Sequence, residues 1–212
     1  MASETIKKLQ WRYATKRFDS SKKLSAEKLH ILKETFNLTA TSYGLQPVKM
    51  VVVSNQQLKE ELLPHTFNQP QIRDASHVLV LCVETEIDAG FIVDHFKRVE
   101  GTRKTERKIL EPFEENLLRT FSAKDADDIR EWMVNQLYLI LGALLTVCAV
   151  EKIDACPMEG FVPEKYDELL GLAQKGLTSV IVLPVGYRDE SDFFMNLKKV
   201  RRGVEELIID LD

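Results

Sequence analysis

None of the nine glycines in the 212-residue chain forms a G-x-G pair, and there is no G-x-x-x-x-G-K-[ST] run. The first absence excludes the dinucleotide fingerprint of a Rossmann fold, the second a phosphate loop. No G-x-S-x-G elbow is present, so the usual nucleophile turn of a serine hydrolase is missing. The four histidines (His30, His65, His77, His95) never fall in H-E-x-x-H or paired spacing, which leaves a catalytic metal without ligands. Cysteine is scarce: Cys82, Cys148 and Cys156 are odd in number and contain no C-x-x-C pair. That pattern excludes a disulfide framework or zinc site and points to a reducing, cytoplasmic setting. The first residues lack the apolar run of a secretory leader. The most apolar stretch, Leu137 to Val150, is about 14 residues, short of the ~20 that span a bilayer. There are no repeats, low-complexity tracts or long linkers, so residues 1–212 are expected to form a single domain. An enzyme with none of these devices borrows its chemistry from a cofactor.

Hydrophobic residues make up 44% of the chain, ample for a core, and 33 acidic against 29 basic residues leave a net charge of −4. Acidity argues against nucleic-acid partners. Against that background two basic clusters stand out, Arg12 to Arg17 near the start and Lys198 to Arg202 near the end. Brought together by folding they would form one local anion site, with phosphate its natural occupant. Taken singly, each reads as a solvated helix end or a basic tail.

Hydrophobic periodicity predicts helices over residues 4–13, over 26–38 with Ser25 as N-cap, and over 56–63 closed by Pro64. Strands are predicted over 48–53, 77–83 and 179–185; the last two are apolar enough to be covered on both faces. Residues 86–119 are charged and mostly helical with a break near Gly101, an excursion from the core. Ser122-Ala-Lys-Asp125 signals the start of a helix reaching about Val150. Beyond Glu131 that helix is apolar nearly all round, so it is buried on every side, in a core or a dimer interface. Pro163 suits the first turn of a helix ending at Gly171. The mixed order of elements argues an α+β fold.

A set of short motifs then occurs in order: Arg12-x-x-Thr15-Lys16-x-Phe18-Asp19, Leu45-Gln46-Pro47, Asp74-Ala75-Ser76-His77, Glu131-Trp132-Met133, Pro157-Met158-Glu159-Gly160-Phe161 and Lys199-x-Arg201. Together they resemble the nitroreductase family, near its oxygen-insensitive NAD(P)H nitroreductase and dihydropteridine reductase branch. The resemblance covers roughly residues 5–205. It implies an α+β fold with a mixed central β-sheet flanked by helices, in an intertwined homodimer. It also implies one FMN per subunit at the dimer interface, and a tail over about 200–212 that wraps the partner. NAD(P)H would reduce the flavin and leave. A nitroaromatic, quinone or pterin-like acceptor would then take its place. The same fold with another acceptor (an enone, a free flavin or a halogenated aromatic) and a non-catalytic flavin-binding dimer stay open. No metal and no membrane partner are implied.

By the same resemblance Arg12, Lys199 and Arg201 match the cations on the FMN phosphate, with Tyr13 and Ala14 beside them. Lys16 matches the lysine at the flavin pyrimidine. Asn68 and Gln71 match polar contacts on that edge. Met158, Glu159 and Gly160 match the loop whose backbone N–H groups meet flavin N5 and O4. Thr41, Ser42 and Gly44 match a loop that reaches the other subunit's flavin. No side chain is assigned as a catalytic acid or base; Lys16 and the Glu159 backbone assist. Departures from the family pattern are Ala14 for a hydroxyl, Thr41 for a serine, Gly44 for an asparagine and Gln71 for a lysine. The last implies a lower flavin potential than in relatives with two lysines. Without the family, Asn68 and Gln71 are loop polar residues, Glu159 an exposed carboxylate, and Thr41 and Ser42 helix-end caps. Cys156 and His77 read as a buried core thiol and a structural histidine.

Overall fold

The computed structural model describes residues 3–211. In chain order they form α1 (Glu4–Trp11), α2 (Ala26–Leu38), β1 (Val48–Val53), α3 (Gln56–Leu62), α4 (Gln71–Asp74), β2 (His77–Glu84), α5 (Ala89–Arg103), α6 (Arg107–Ser122), α7 (Ala126–Val150), β3 (Asp154–Ala155), α8 (Pro163–Leu169), β4 (Leu177–Gly186) and α9 (Val204–Leu207). The expected α+β class is present. The strand order is β1-β2-β4-β3, and every strand pair is antiparallel, so the sheet is not mixed as expected. Among the described residues the one parallel pairing is an isolated bridge between Ala14 and Ala155.

β2 and β4 occupy the centre and are covered on both sides, which is why they read as continuous apolar runs. Along β2, Leu79, Leu81 and Val83 enter a core shared with α2, α5, α6 and α7. Val78, Val80 and Cys82 enter a second core built with α3, α4 and α8. Each such fully buried aliphatic side chain contributes about 1.5–3 kcal/mol, so the sheet is fixed from both faces.

Local signals set several helix ends. Ser25 accepts from Lys28 N and starts α2 at Ala26, as expected. The helix preceding Arg12 stops at Trp11, earlier than the sequence suggested. The break in the excursion falls after Arg103 rather than at Gly101, with Lys104 in a left-handed conformation (φ 57°). Asp125, not Ser122, caps α7, its carboxylate accepting from Asp128 N, while Ser122 closes α6.

α7 runs for 25 residues, long and apolar enough to cross a membrane. Met133, Leu137, Ile140, Leu141 and Leu144 instead bury one face in the larger core. The expectation of burial on every side does not hold within the chain. Tyr138, Leu139 and Val150 lie on an exposed face.

Lys59 is fully buried, with Nζ donating to the Ala75 carbonyl at 2.7 Å. Burial, then the like charge of Lys23, brings its pKa from 10.5 to about 8. Between those values the unfolded chain holds the proton and the folded chain does not, so stability rises with pH across that window. Urea unfolding between pH 7.5 and 10 is expected to show this rise, and Lys59→Met to remove it.

Candidate functional site

The first basic stretch leaves α1 in extended conformation and runs along the end of the sheet. Ala14 bridges to Ala155, Phe18 bridges to Arg188, and Asp189 N donates to the Arg17 carbonyl. What shapes it is Asp192, which is 1% exposed. Its Oδ2 accepts from Lys16 N (2.8 Å), Arg17 N (3.1 Å) and the Tyr13 hydroxyl (2.9 Å), and its Oδ1 from Phe194 N (3.1 Å). Burial pushes the Asp192 carboxyl up, but these donors together outweigh it and hold it below its ordinary value. The Tyr13 hydroxyl is pushed up by burial and by this bond.

The two ends of the chain meet here. Lys199 Nζ donates to the Arg12 carbonyl, across 187 residues of sequence. Burial, then the charge of Arg201, lowers the Arg12 guanidinium pKa. Burial, then Arg12, Arg201 and Arg188, lowers that of Lys199. Arg188 is already compensated, its Nε donating to Asp154 Oδ1 at 2.7 Å and its guanidinium stacking over Trp11 and Tyr13. Among the described residues Arg12, Lys199 and Arg201 form no ion pair with a carboxylate; that of Arg188 with Asp154 lies beside them. Three cations that repel one another and lack a counterion make a site that gains stability from an anion.

A second convergence lies deeper. Lys16 Nζ approaches Cys156 Sγ at 3.9 Å. Burial raises the Cys156 thiol pKa, while Lys16 and a hydrogen bond from Gln71 act against it. Gln71 is 4% exposed, and its buried Oε1 has no partner. Lys16, Gln71 and Cys156 thus face one point from three separate segments. Cys156 is the buried core thiol expected, and His77 is structural, its Nδ1 2.9 Å from Ser76 Oγ.

Met158 is buried and pairs with Val182, which leads the chain out to Glu159 and Gly160 at the surface. No acceptor is found for the Glu159 or Gly160 N–H among the described residues. The Glu159 carboxylate is not a free loop charge: Tyr138 Oη donates to Oε1 at 2.5 Å, and that bond pushes the phenol up to about 12. A Cβ built on Gly160 would meet nothing nearer than Gln69 Nε2 at 3.5 Å. No close contact within the chain demands glycine there; the position packs at ordinary distance against Gln69 and the Phe67 ring. Gln69 Nε2 donates to the Gly160 carbonyl, tying this loop to the turn that carries Phe67 and Asn68, both at positive φ.

Thr41, Ser42 and Gly44 form a separate loop. Thr41 Oγ1 accepts from Gln46 N, Ser42 N donates to Gln136 Oε1, and Gly44 has φ 71°. Tyr43 stacks on Trp132. Among the described residues no hydrogen bond ties these residues to the Arg12 cluster within one chain.

Sequence reasoning missed Asp192, Arg188, Tyr138 and Gln69. Asp192 and Arg188 sit in Tyr187-Arg-Asp-Glu-Ser-Asp192, which has the composition of a solvated turn. Only its position after an apolar strand hinted that part of it turns inward.

The residues present fit a flavin mononucleotide: uncompensated cations for a phosphate, a lysine and an orphan buried amide at a second point, and unpaired N–H groups on an open loop. The Nitroreductase family model matches residues 9–187. The oxygen-insensitive NAD(P)H nitroreductase of Salmonella typhimurium is 34% identical, over 94% of this chain and 96% of its own. The major NAD(P)H-flavin oxidoreductase of Aliivibrio fischeri is 30% identical over 98% and 99%. A protein from Exiguobacterium sibiricum, crystallised with FMN, shares the fold with a TM-score of 0.84 at 17% identity, covering 100% of this chain and 99% of that one. The chain belongs to the nitroreductase family.

Proposed function

We propose that this member of the nitroreductase family is an FMN-dependent NAD(P)H oxidoreductase that works as a homodimer. The carrying observation is the meeting of Arg12, Lys199 and Arg201 without a carboxylate, at the end of a segment whose next lysine faces Gln71 and Cys156. Relatives named for NAD(P)H and a structural neighbour holding FMN support the reading. When bound, FMN would supply the hydride chemistry of a two-step cycle between NAD(P)H and a nitroaromatic, quinone or pterin-like acceptor.

The chain's own residues bind, orient and tune. Arg12, Lys199 and Arg201 hold the phosphate, with Tyr13 and Ala14 lining the approach; guanidinium forks match its oxygens. Lys16 places positive charge where the reduced ring becomes anionic, and Asn68 and Gln71 offer polar contacts on that edge. The Glu159 and Gly160 N–H groups are the donors available to the ring's N5 and O4, and Tyr138 steadies their loop through Glu159. Thr41, Ser42 and Gly44 belong to the partner's site. The exposed face of α7 and the tail, where Val200 is 87%, Ile209 86% and Leu211 92% exposed, are the surfaces a second copy would bury. Residues 1–212 act as one FMN-binding domain. The free, buried cysteines fit the reducing cytoplasm, and the acidic charge fits small molecules over nucleic acid.

Titration of the purified protein with FMN, followed by flavin fluorescence, is expected to saturate at about one FMN per chain, with the dimer mass in light scattering. Loss of neither fluorescence nor free FMN would remove the reading.

A graded test concerns the ring's charge. Gln71→Lys adds a second cation near Lys16. At ~6 Å and an effective dielectric of ~20, one added charge changes the energy of an anion by about 3 kcal/mol. That corresponds to a rise of roughly 60 mV in a two-electron potential. Spectroelectrochemistry showing no rise would refute the placement of residue 71 beside the ring.

A further inference from the structure

Helix α5 carries charge that the flavin reading leaves unused. His95, Arg98, Thr102 and Arg103 recur at i, i+3, i+7 and i+8, one face of the helix. That face meets the loop at 44–46, which Gly44 (φ 71°) and Gln46 (φ 48°) bend sharply. The packing is close: a Cβ on Gly44 would lie 3.5 Å from His95 Cε1. Between helix and loop is a cavity of about 160 Å³ lined by Gln46, His95, Arg98, Thr102 and Arg103. A larger cavity of about 470 Å³ shares Gln46 and Arg98 with it and is lined by Phe36, Leu45, Val48 and Phe91 together with Asn37 and the Lys49–Glu84 ion pair.

The ion pairs of this region join Lys49 to Glu84, Lys97 to Asp94, Arg107 to Glu114 and Lys108 to Glu106. Among the described residues that leaves Arg98 and Arg103 without a carboxylate. Burial, then Arg98 and Arg103, lowers the His95 pKa. The small cavity thus offers two uncompensated guanidiniums, a neutral imidazole and a hydroxyl, in a protein of net negative charge.

Guanidinium pairs match the oxygens of a phosphate monoester. A volume of about 160 Å³, roughly five water volumes, admits that group with one ester arm. A diphosphate would need an exit for its second arm. The larger chamber falls in the range of small-molecule sites, and Phe36, Leu45, Val48 and Phe91 give it one apolar side on which a purine can pack. We propose that the paired cavities receive the 2′-phosphoadenosine end of NADPH, with the 2′-phosphate at Arg98 and Arg103 and the adenine in the larger chamber. The enzyme is then selective for NADPH over NADH. This rests on the flavin reading for the nicotinamide end, because the same loop carries Thr41, Ser42 and Gly44.

Steady-state kinetics of the holoenzyme with both nucleotides, and calorimetric titration with 2′-AMP and 5′-AMP, test it. The wild type is expected to favour NADPH in kcat/KM. Arg98→Ala/Arg103→Ala is expected to lower the NADPH-to-NADH ratio roughly a hundredfold or more, two charge-assisted contacts being lost. 2′-AMP should bind more tightly than 5′-AMP in the wild type and lose that advantage in the variant; Arg98→Lys should keep part of it. Equal use of both nucleotides, an unchanged ratio in the variant, or equal binding of the two monophosphates overturns the proposal and leaves the flavin reading intact. If neither nucleotide reduces the flavin, the flavin reading fails, and the 2′-AMP titration still decides the anion pocket.

Discussion

Arg12→Ala/Arg201→Ala protein is expected to emerge from purification nearly colourless, while the wild type is yellow. Each charge-assisted contact to phosphate contributes about 1.5–3 kcal/mol. Loss of two therefore weakens FMN binding by roughly two to four orders of magnitude. The wild-type cluster is primed for that ligand, because burial and Arg201 already destabilise the charged form of Arg12. Removing two of three mutually repelling cations relieves repulsion in the free protein, so the apo-variant should unfold no earlier than the wild-type apoprotein. That combination, weaker FMN binding without lost stability, separates a phosphate grip from a structural ion cluster. Lys198→Ala, which removes a neighbouring exposed charge, serves as control and should leave FMN binding nearly unchanged. Equal FMN affinity in the double variant and the wild type would contradict the assignment.

Asp192→Ala should produce the largest loss of stability, about 3–5 kcal/mol, the range for breaking a buried, multiply bonded charge. Four donors lose their acceptor at once: Tyr13 Oη and the backbone N–H groups of Lys16, Arg17 and Phe194. The segment from Arg12 to Arg17 would lose its shape, so FMN retention should fall as well. The effect has a pH signature. Burial raises the Asp192 carboxyl, its donors lower it further, and the folded value ends below the unfolded one. A depressed carboxyl stabilises fully above its unfolded value of ~3.9 and loses that contribution as pH falls through the folded value. Denaturant unfolding from pH 6 down to pH 2.5 should show an acid loss in the wild type that Asp192→Asn lacks. An alanine variant as stable as the wild type would show that the buried carboxylate does not organise this segment.

The parts of the fold legible in sequence are those fixed by neighbouring residues. Ser25 and the spacing of Leu29, Leu32 and Phe36 define α2, and the run from Val48 to Val53 gives β1. Strand order was not legible, since β3 is two residues long and is defined only by its pairing with Val185 and Gly186. The span of α7 was legible, bracketed by the Ser122–Asp125 start signal and the apolar run to Val150; only the capping residue, Asp125 rather than Ser122, differs.

The candidate site divides the same way. Arg12, Lys199 and Arg201 were visible as charge out of keeping with an acidic chain, and the folded chain brings them together. The approach of Lys16 to Cys156 spans 140 residues, and no local pattern announces it. Asp192 was unreadable because an aspartate in a charged turn is ordinarily solvated. The row His95, Arg98, Arg103 lies in a stretch that the sequence marked only as charged and mostly helical. That no acid answers it becomes visible only when Asp94, Glu106 and Glu114 are seen engaged elsewhere.

Anaerobic stopped-flow reduction of the purified, FMN-loaded protein shows whether the bound flavin turns over. NADPH is expected to bleach the bound flavin's absorbance in a single fast phase, and a quinone or nitroaromatic added afterwards should restore it. Flavin that stays oxidised under both NADPH and NADH would contradict the account and leave a protein that binds the cofactor without using it.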